Sequence, residues 1–169
     1  MLRYFGGVAL LLAVFLGANV WQSLASPPPA QTLPNLSLTA LNGNTEQLET
    51  QNVPTVVYLW ATDCGACAGE FSLLADAARS ARYGGFRYLF VNQGNDEPSV
   101  RRYLDLNGLT DVAEGVYLDP ANSVYDALEA FSLPTSYFFR AGGSLHEARA
   151  VIARPDRLEH TLEPLLSRP

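Results

Sequence analysis

Residues 60–71 read WATDCGACAGEF, and this stretch places both cysteines of the chain between a strand-like and a helix-like pattern. The apolar, β-branched run TVVYLW at residues 55–60 leads into it and is typical of a buried strand. Alanine and leucine are frequent behind it, and apolar residues recur at helical spacing from Cys64 to about Arg82. The sequence predicts a strand followed directly by a helix, with Cys64 opening that helix and Cys67 one turn further on.

The segments on either side extend this pattern into a sheet. Gly84-Gly85 is expected to end the helix, and Phe86–Val91 reads as a second apolar strand. Strand, helix and strand over this length predict a parallel pair with a right-handed crossover. Before them, LSLTALNGNTEQL has alternating apolar residues around Asn42-Gly43, which is a hairpin signal.

The second half of the domain predicts further helices and an antiparallel hairpin. The helices are expected near Pro98–Leu106 and Ser123–Ala130, with a short strand at Val116–Leu118 between them. The hairpin joins Thr135–Phe139 to Ser144–Ile152 through a turn at Ala141–Gly143. A last helix opens with Pro155 and runs toward Leu162, and Pro164 is expected to end or kink it. The predicted fold class is α/β, with a central mixed β-sheet flanked by helices.

An apolar run, Tyr4–Trp21, precedes the domain and contains no charged residue. As a helix it would be about 27 Å long, near the minimum for crossing a bilayer. Arg3 would keep the amino terminus cytoplasmic. The run therefore fits either a retained anchor or a signal peptide cleaved near Ser23–Ala25. We expect residues 1–21 to be this anchor or signal segment, 22–34 a proline-rich linker, and 35–169 the globular domain.

Composition limits the partners and the compartment. All 11 basic residues are arginine, the net charge is −6, and no basic cluster exists, so nucleic acid is an unsuitable partner. Either fate of the N-terminal run carries the domain across a membrane, where disulfides persist.

The CxxC pair has three interpretations: a structural staple, a metal site or a redox couple. A disulfide between residues i and i+3 closes so small a loop that it stabilises a fold poorly. Zinc needs further soft ligands, and the chain offers only His146 and His160. A redox couple fits best, because a cysteine at a helix N-terminus is favoured as thiolate. Cys64 is then the predicted nucleophile and Cys67 the resolving thiol.

From about Leu36 onward the chain resembles the thioredoxin fold, and in particular the TlpA/ResA-like membrane-anchored thiol-disulfide oxidoreductases. The matching segments, in the expected order, are WATDCGAC, VNQGNDEPSVRRYLDLNGL, YLDPANSVYDAL, LPTSYFF and the closing Gly-Gly turn, strand and helix. Two positions depart from the usual family pattern. Asp63 replaces tryptophan and Ala66 replaces proline, and these changes bear on reactivity rather than on the fold.

The resemblance implies roles for further residues. Pro134 matches the family's cis-proline beside the CxxC, and the backbone of Leu133 would face the substrate. Glu70 matches an acidic residue that could exchange a proton with Cys67, although a solvated helix glutamate is an equal alternative. Trp60 is expected as core and as a wall of the substrate site.

Two residues near the cysteines, Asp63 and Tyr58, bear on how protons are gained and lost at the cysteine thiols. Asp63 is predicted to raise the pKa of Cys64, because a neighbouring carboxylate disfavours the thiolate. The alternative is a solvated loop aspartate with little effect. Thioredoxin has a buried aspartate six residues before its first cysteine, but Tyr58 stands there in this chain. Proton handling would then fall to another residue or to water.

The implied function is the reduction of disulfides in envelope proteins, for example apocytochrome c or copper-site proteins, with closure of a Cys64–Cys67 disulfide. The implied electron donor is a membrane thiol transporter of the DsbD or CcdA type, and no cofactor is expected. The expected location is the bacterial inner membrane, with one N-terminal span and the domain facing the periplasm or exterior, or the periplasm after cleavage.

Three other functions are weighed. An oxidase or isomerase could use the same fold. A copper-binding module of the Sco type would need CxxxC and a distal histidine, and a thiol peroxidase would need threonine where Ala61 stands.

Overall fold

Strand β3 (Thr55–Trp60) lies at the centre of the sheet, and its 6 residues are all buried. A strand covered on both faces needs an uninterrupted apolar run, which explains why this segment does not alternate. In the computed structural model, which describes residues 32–49, 52–152 and 154–166, β3 pairs in parallel with β4 (Arg87–Gln93). On its other side β3 pairs antiparallel with β6 (Thr135–Phe139). The predicted parallel strand–helix–strand unit is confirmed.

The other strands are β1 (Leu36–Ala40), β2 (Thr45–Leu48), β5 (Val116–Asp119) and β7 (Leu145–Arg149). They complete a 7-stranded mixed sheet in the order β2-β1-β5-β4-β3-β6-β7. Both predicted hairpins are present, and Gly43 at the tip of the first has a φ of 87°, which favours glycine. Strand β7 ends at Arg149, earlier than predicted, and beyond it the backbone N–H of Ile152 donates to the Glu70 carboxylate rather than to the sheet.

Within the described residues, the sheet is flanked by four α-helices: α1 (Cys67–Arg79), α2 (Glu97–Asn107), α3 (Ser123–Ala127) and α4 (Pro155–Leu166). Asp96 caps α2 by accepting from the backbone N–H of Ser99, and Gly108 ends it in the left-handed conformation. A 3-10 helix at Thr110–Gly115, which the sequence analysis did not predict, leads into β5.

Helix α1 is shorter at both ends than predicted. It begins at Cys67 rather than Cys64, because the intervening residues form a turn in which Cys67 N–H donates to Cys64 C=O at 3.0 Å. It ends at Arg79, well before Gly84-Gly85. Ser80 is extended there, and its hydroxyl accepts from the backbone N–H of Tyr83.

Two other helix ends also differ from prediction. Helix α3 stops at Ala127 rather than Ala130, since Glu129 has a positive φ of 52°. Helix α4 continues through Pro164 to Leu166, so the expectation that it stops at the proline is wrong. His160, whose carbonyl loses its partner there, is exposed, so water can replace the missing N–H.

Two apolar clusters cover the faces of the sheet. One joins α1, α2 and α4 to the sheet around stacked and edge-on aromatic rings, including Phe71 and Phe90 at 4.5 Å between ring centroids. The other packs Val124 of α3 and Leu128 against the opposite face. The mixed sheet with flanking helices is the thioredoxin-like α/β fold that the sequence predicts. Within the described ranges, no helix is both long enough and apolar enough to cross a membrane.

Candidate active site

The two cysteines lie just beyond the carboxyl end of β3 and are joined by a disulfide, with Sγ–Sγ at 2.03 Å. Cys64 is half-buried in the turn before α1, whereas Cys67 is 0% exposed. A substrate can therefore reach Cys64 and not Cys67. This difference in exposure fits the predicted division into an attacking and a resolving thiol.

The loop that leads into the cysteines is held by two asparagines. Thr62 N–H donates to Asn95 Oδ1 at 2.9 Å, and the Asn92 side-chain amide donates to the same oxygen at 3.1 Å. Asn92 is fully buried at the end of β4. Neither asparagine was predicted from the sequence to belong to the site. The signal that could have found it is a polar Val-Asn-Gln-Gly-Asn segment at residues 91–95, directly after an apolar strand.

The Leu133-Pro134 peptide bond is cis, as the resemblance implied. Thr135 pairs with Leu59, so the residue after the proline lies beside the end of β3, from which the cysteine loop departs. Leu133 is half-buried against both apolar clusters. The contact of Leu133 and Pro134 with a substrate chain stays a prediction.

Glu70 is buried in the first turn of α1, with 2% of its surface exposed. Ser136 Oγ donates to one carboxylate oxygen at 2.6 Å, and Ile152 N–H donates to the other at 2.7 Å. Burial raises the pKa of Glu70, and the bonds from Ser136 and Ile152 oppose that rise. The solvated alternative is therefore wrong, while the proton-transfer role stays a prediction.

Neither partner of Glu70 was identified from sequence. Ser136 could have been noticed as a hydroxyl inside the apolar strand TSYFF, but Ile152 acts through its backbone and leaves no side-chain signal.

Tyr58 occupies the position where thioredoxin has its buried aspartate, and its side chain is fully buried. The phenol donates to the backbone carbonyl of Cys67 at 2.7 Å. Burial, with a smaller contribution from the Glu70 carboxylate, raises the Tyr58 pKa far above its ordinary value. Tyr58 therefore stays neutral and anchors the first residue of α1.

Trp60 is fully buried, and its ring packs against Phe71 and Tyr103 at centroid distances of 4.8 and 4.9 Å. It belongs to the core beneath the site and presents no surface to a substrate in this conformation. Asp63 and Ala66 are both exposed in the turn around Cys64. The effect of Asp63 on Cys64 stays a prediction.

The described part of the chain contains no group of three or more His, Cys, Asp or Glu residues that could hold a metal ion. The Redoxin family pattern matches residues 28–142, which include the cysteines and the cis-proline. The chain belongs to the Redoxin family. This membership and the geometry of the CxxC place it among the TlpA/ResA-like, thioredoxin-fold proteins.

Two relatives are similar in sequence. A thioredoxin-like protein from Haemophilus influenzae is 29% identical over 104 residues, which span 60% of each chain. The thiol-disulfide oxidoreductase ResA from Geobacillus kaustophilus is 23% identical over 163 residues, covering 94% of this chain and 92% of ResA.

A solved structure shares the fold of this Redoxin family member. It is a secreted Mycobacterium tuberculosis disulfide oxidoreductase homologous to E. coli DsbE, with a TM-score of 0.67 and 18% identity. The match covers 78% of this chain and 96% of that one.

Proposed function

We propose that the protein is an extracytoplasmic thiol-disulfide oxidoreductase that reduces disulfides of envelope proteins through Cys64 and Cys67. The observation that supports this proposal best is the disulfide itself, with one accessible and one buried sulfur beside a cis-proline. Family membership and the ResA relative favour the same chemistry.

The reaction would proceed by two exchanges. The Cys64 thiolate attacks one sulfur of a substrate disulfide, the substrate S–S bond breaks, and its other sulfur leaves as a thiolate that takes a proton. The Cys67 thiolate then attacks Cys64 Sγ, breaks the mixed disulfide and releases the second substrate thiolate. The substrate gains two electrons and two protons, and Cys64–Cys67 is oxidised.

Glu70 is proposed to take part by exchanging a proton with Cys67. It lies one turn along α1 from Cys67, in a buried site that raises the pKa of its carboxyl above the ordinary value. Its two hydrogen-bond donors come from β6 and from the segment after β7, so the carboxyl is held in one orientation.

The proposed location is outside the cytoplasm, with the chain attached through Tyr4–Trp21 or released after cleavage. The apolar run lies outside the described residues, and its sequence supports the proposal. The protein would be recharged by a membrane thiol donor of the DsbD or CcdA type. Suitable substrates are apocytochrome c or copper-site proteins.

Disulfide exchange is reversible, so the same site could instead oxidise or isomerise substrates. The reduction potential separates these directions, and a potential near that of DsbA, about −120 mV, would contradict the reducing proposal.

The experiment that tests the proposal is trapping by Cys67→Ser. This variant keeps the accessible Cys64 and removes the thiol that would release a partner, so we expect stable mixed disulfides with envelope proteins. Non-reducing electrophoresis and mass spectrometry would identify them. The matched variant Cys64→Ser keeps only the buried cysteine and should form almost none. Equal adducts in both variants, or none in either, would contradict the assigned roles.

A further inference from the structure

A cavity of about 390 Å³ opens at the end of the sheet opposite the cysteines. Pro54, immediately before β3, and Phe86, immediately before β4, line it, whereas the cysteines follow the other end of β3. Its apolar lining includes two exposed side chains, Val53 at 36% and Leu166 at 40%. Exposed apolar side chains beside an apolar cavity are typical of a binding surface.

Two arginines, Arg82 and Arg140, also line this cavity, and no acidic residue does so among the described residues. Arg82 pairs with Glu163 at 2.6 Å. Arg140 contacts the Leu145 carbonyl at 3.2 Å and the His146 ring at 2.7 Å. In the part of the chain that the structure describes, Arg140 has no carboxylate partner. The cavity therefore suits a ligand that combines an anion with apolar groups.

The N-terminal side of the chain joins the domain at this same end. Thr32 pairs with Ser144, and Leu33 N–H donates to the Gly143 carbonyl at 2.9 Å. Gly143 belongs to the turn that contains Ala141, which lines the cavity. By sequence, residues 22–31 separate Thr32 from the apolar run, and ten residues reach at most about 35 Å.

We propose that this end of the domain docks on a membrane surface of anionic phospholipid. Arg140, which has no carboxylate partner among the described residues, binds a headgroup phosphate, while Val53 and Leu166 enter the interface. The short tether keeps the effective concentration of lipid high, so a weak site suffices. The chain is acidic overall, at −6, and anionic lipid repels most of its surface, which favours the orientation with the arginines toward the membrane.

Docking extends the proposed membrane attachment, on which it rests, and has a consequence for the redox site. With this end on the membrane, Cys64 faces away from it and is open to substrates in solution. A donor embedded in the same membrane could reach Cys64 only when the domain undocks. Docking would thus separate the reducing step from the recharging step.

Photocrosslinking of the full chain in lipid vesicles tests the proposal. The photoreactive amino acid p-benzoylphenylalanine replaces either Val53 or, as a matched control, Val151, which is 54% exposed and follows β7 at the cysteine end. Vesicles are phosphatidylcholine alone or phosphatidylcholine with phosphatidylglycerol, and lipid adducts are measured by mass spectrometry. We expect adducts from position 53 in the anionic vesicles and few from position 151.

Variants of Arg140 test whether its positive charge contributes to binding of anionic lipid. Arg140→Gln should reduce adducts from position 53 by about threefold or more, and Arg140→Lys should retain most of them. Circular dichroism checks that each variant is folded. Equal adducts from positions 53 and 151, equal adducts in both lipids, or crosslinks from position 53 only to the chain itself would overturn the proposal.

Vesicle flotation and disulfide exchange are measured on the same samples. Failure to float would overturn docking together with attachment. Flotation and exchange without lipid adducts from position 53 would overturn docking alone. Adducts with no exchange would support docking and contradict the proposed redox function.

Discussion

At the scale of single residues, the two cysteines differ in their exposure to solvent. Cys64 is half-buried in a turn, whereas Cys67 is the first residue of α1 and is buried in the core. Asp63 stands in the same exposed turn as Cys64. We predict that its carboxylate acts on the thiolate through solvent, with a small but measurable influence on the pKa of Cys64.

Asp63→Asn and Asp63→Trp should both lower the pKa of Cys64, by roughly 0.5. Asparagine removes only the charge, whereas tryptophan also restores the residue usual in the resembling family. The measurement is thiolate absorbance against pH in a Cys67→Ser background. An unchanged or higher pKa in the asparagine variant would show that the Asp63 charge does not act on Cys64.

Glu70 should make stability depend on pH. Its pKa is raised from the ordinary 4.5, mainly by burial, so the folded state holds its proton more tightly than the unfolded state. The free energy of unfolding should therefore fall as pH rises from below 4.5 through the raised pKa. Glu70→Gln can still accept from Ile152 and donate to Ser136, and it should lack this decline. Urea unfolding at several pH values measures the free energy of unfolding of the natural protein and of Glu70→Gln. The same pH dependence in the two proteins would contradict the raised pKa of Glu70.

Replacing Glu70 by alanine should lower the free energy of unfolding more than replacing it by glutamine. Glu70→Ala leaves the Ile152 N–H and the Ser136 hydroxyl without their acceptor in a buried site. We expect a loss of about 2 kcal/mol in the free energy of unfolding. A loss as small as that of Glu70→Gln would mean that these two bonds contribute little.

At the scale of elements, the turn after α1 is tighter than its sequence indicates. Gly84 N–H donates to the Ser80 carbonyl at 2.9 Å, and a Cβ on Gly84 would lie 2.6 Å from that oxygen and 2.9 Å from the Ala78 oxygen. The same atom on Gly85 would meet nothing within 4 Å. The two adjacent glycines therefore have different requirements.

Gly84→Ala should destabilise the protein by about 1–3 kcal/mol, because backbone atoms would have to move. Gly85→Ala is the matched control and should change the free energy of unfolding by less than about 1 kcal/mol. Urea unfolding of both variants at neutral pH compares them. Similar losses in the two would contradict a steric requirement specific to position 84.

At the scale of the whole molecule, β3 runs between the cysteine end of the domain and the end where the N-terminal side of the chain joins it. The cysteines follow its last residue, while the N-terminal side of the chain joins the domain beside the β6–β7 turn at the opposite end. A chain held by its N-terminal run would therefore present its cysteines to the solution side.

The full chain in neutral phosphatidylcholine vesicles should reduce a soluble disulfide peptide within about twofold of its rate in detergent. Vesicles with the Cys64→Ser variant measure the background. A rate reduced by about tenfold or more on reconstitution would mean that the membrane covers the cysteines. Neutral lipid keeps this test independent of docking on anionic lipid.

The family resemblance implied the cis-proline, whereas the residue pattern alone predicted the parallel pair of β3 and β4, both hairpins and the strand-to-helix junction at the CxxC pair. These features depend on neighbouring residues, through apolar periodicity, turn chemistry and the strand-to-helix junction. Helix ends were less well predicted. Ser80 ended α1, and Pro164 did not end α4, because backbone bonding and burial outweighed local propensity.

How Glu70 is held, and where the N-terminal side of the chain joins the domain, depend on contacts between residues far apart in sequence. Ser136 and Ile152 are 66 and 82 residues away from Glu70, and one of them bonds through its backbone. The meeting of the Thr32–Leu33 segment with the β6–β7 turn likewise joins distant parts of the chain. Such contacts follow from how the layers pack, and packing depends on the whole fold rather than on any local pattern.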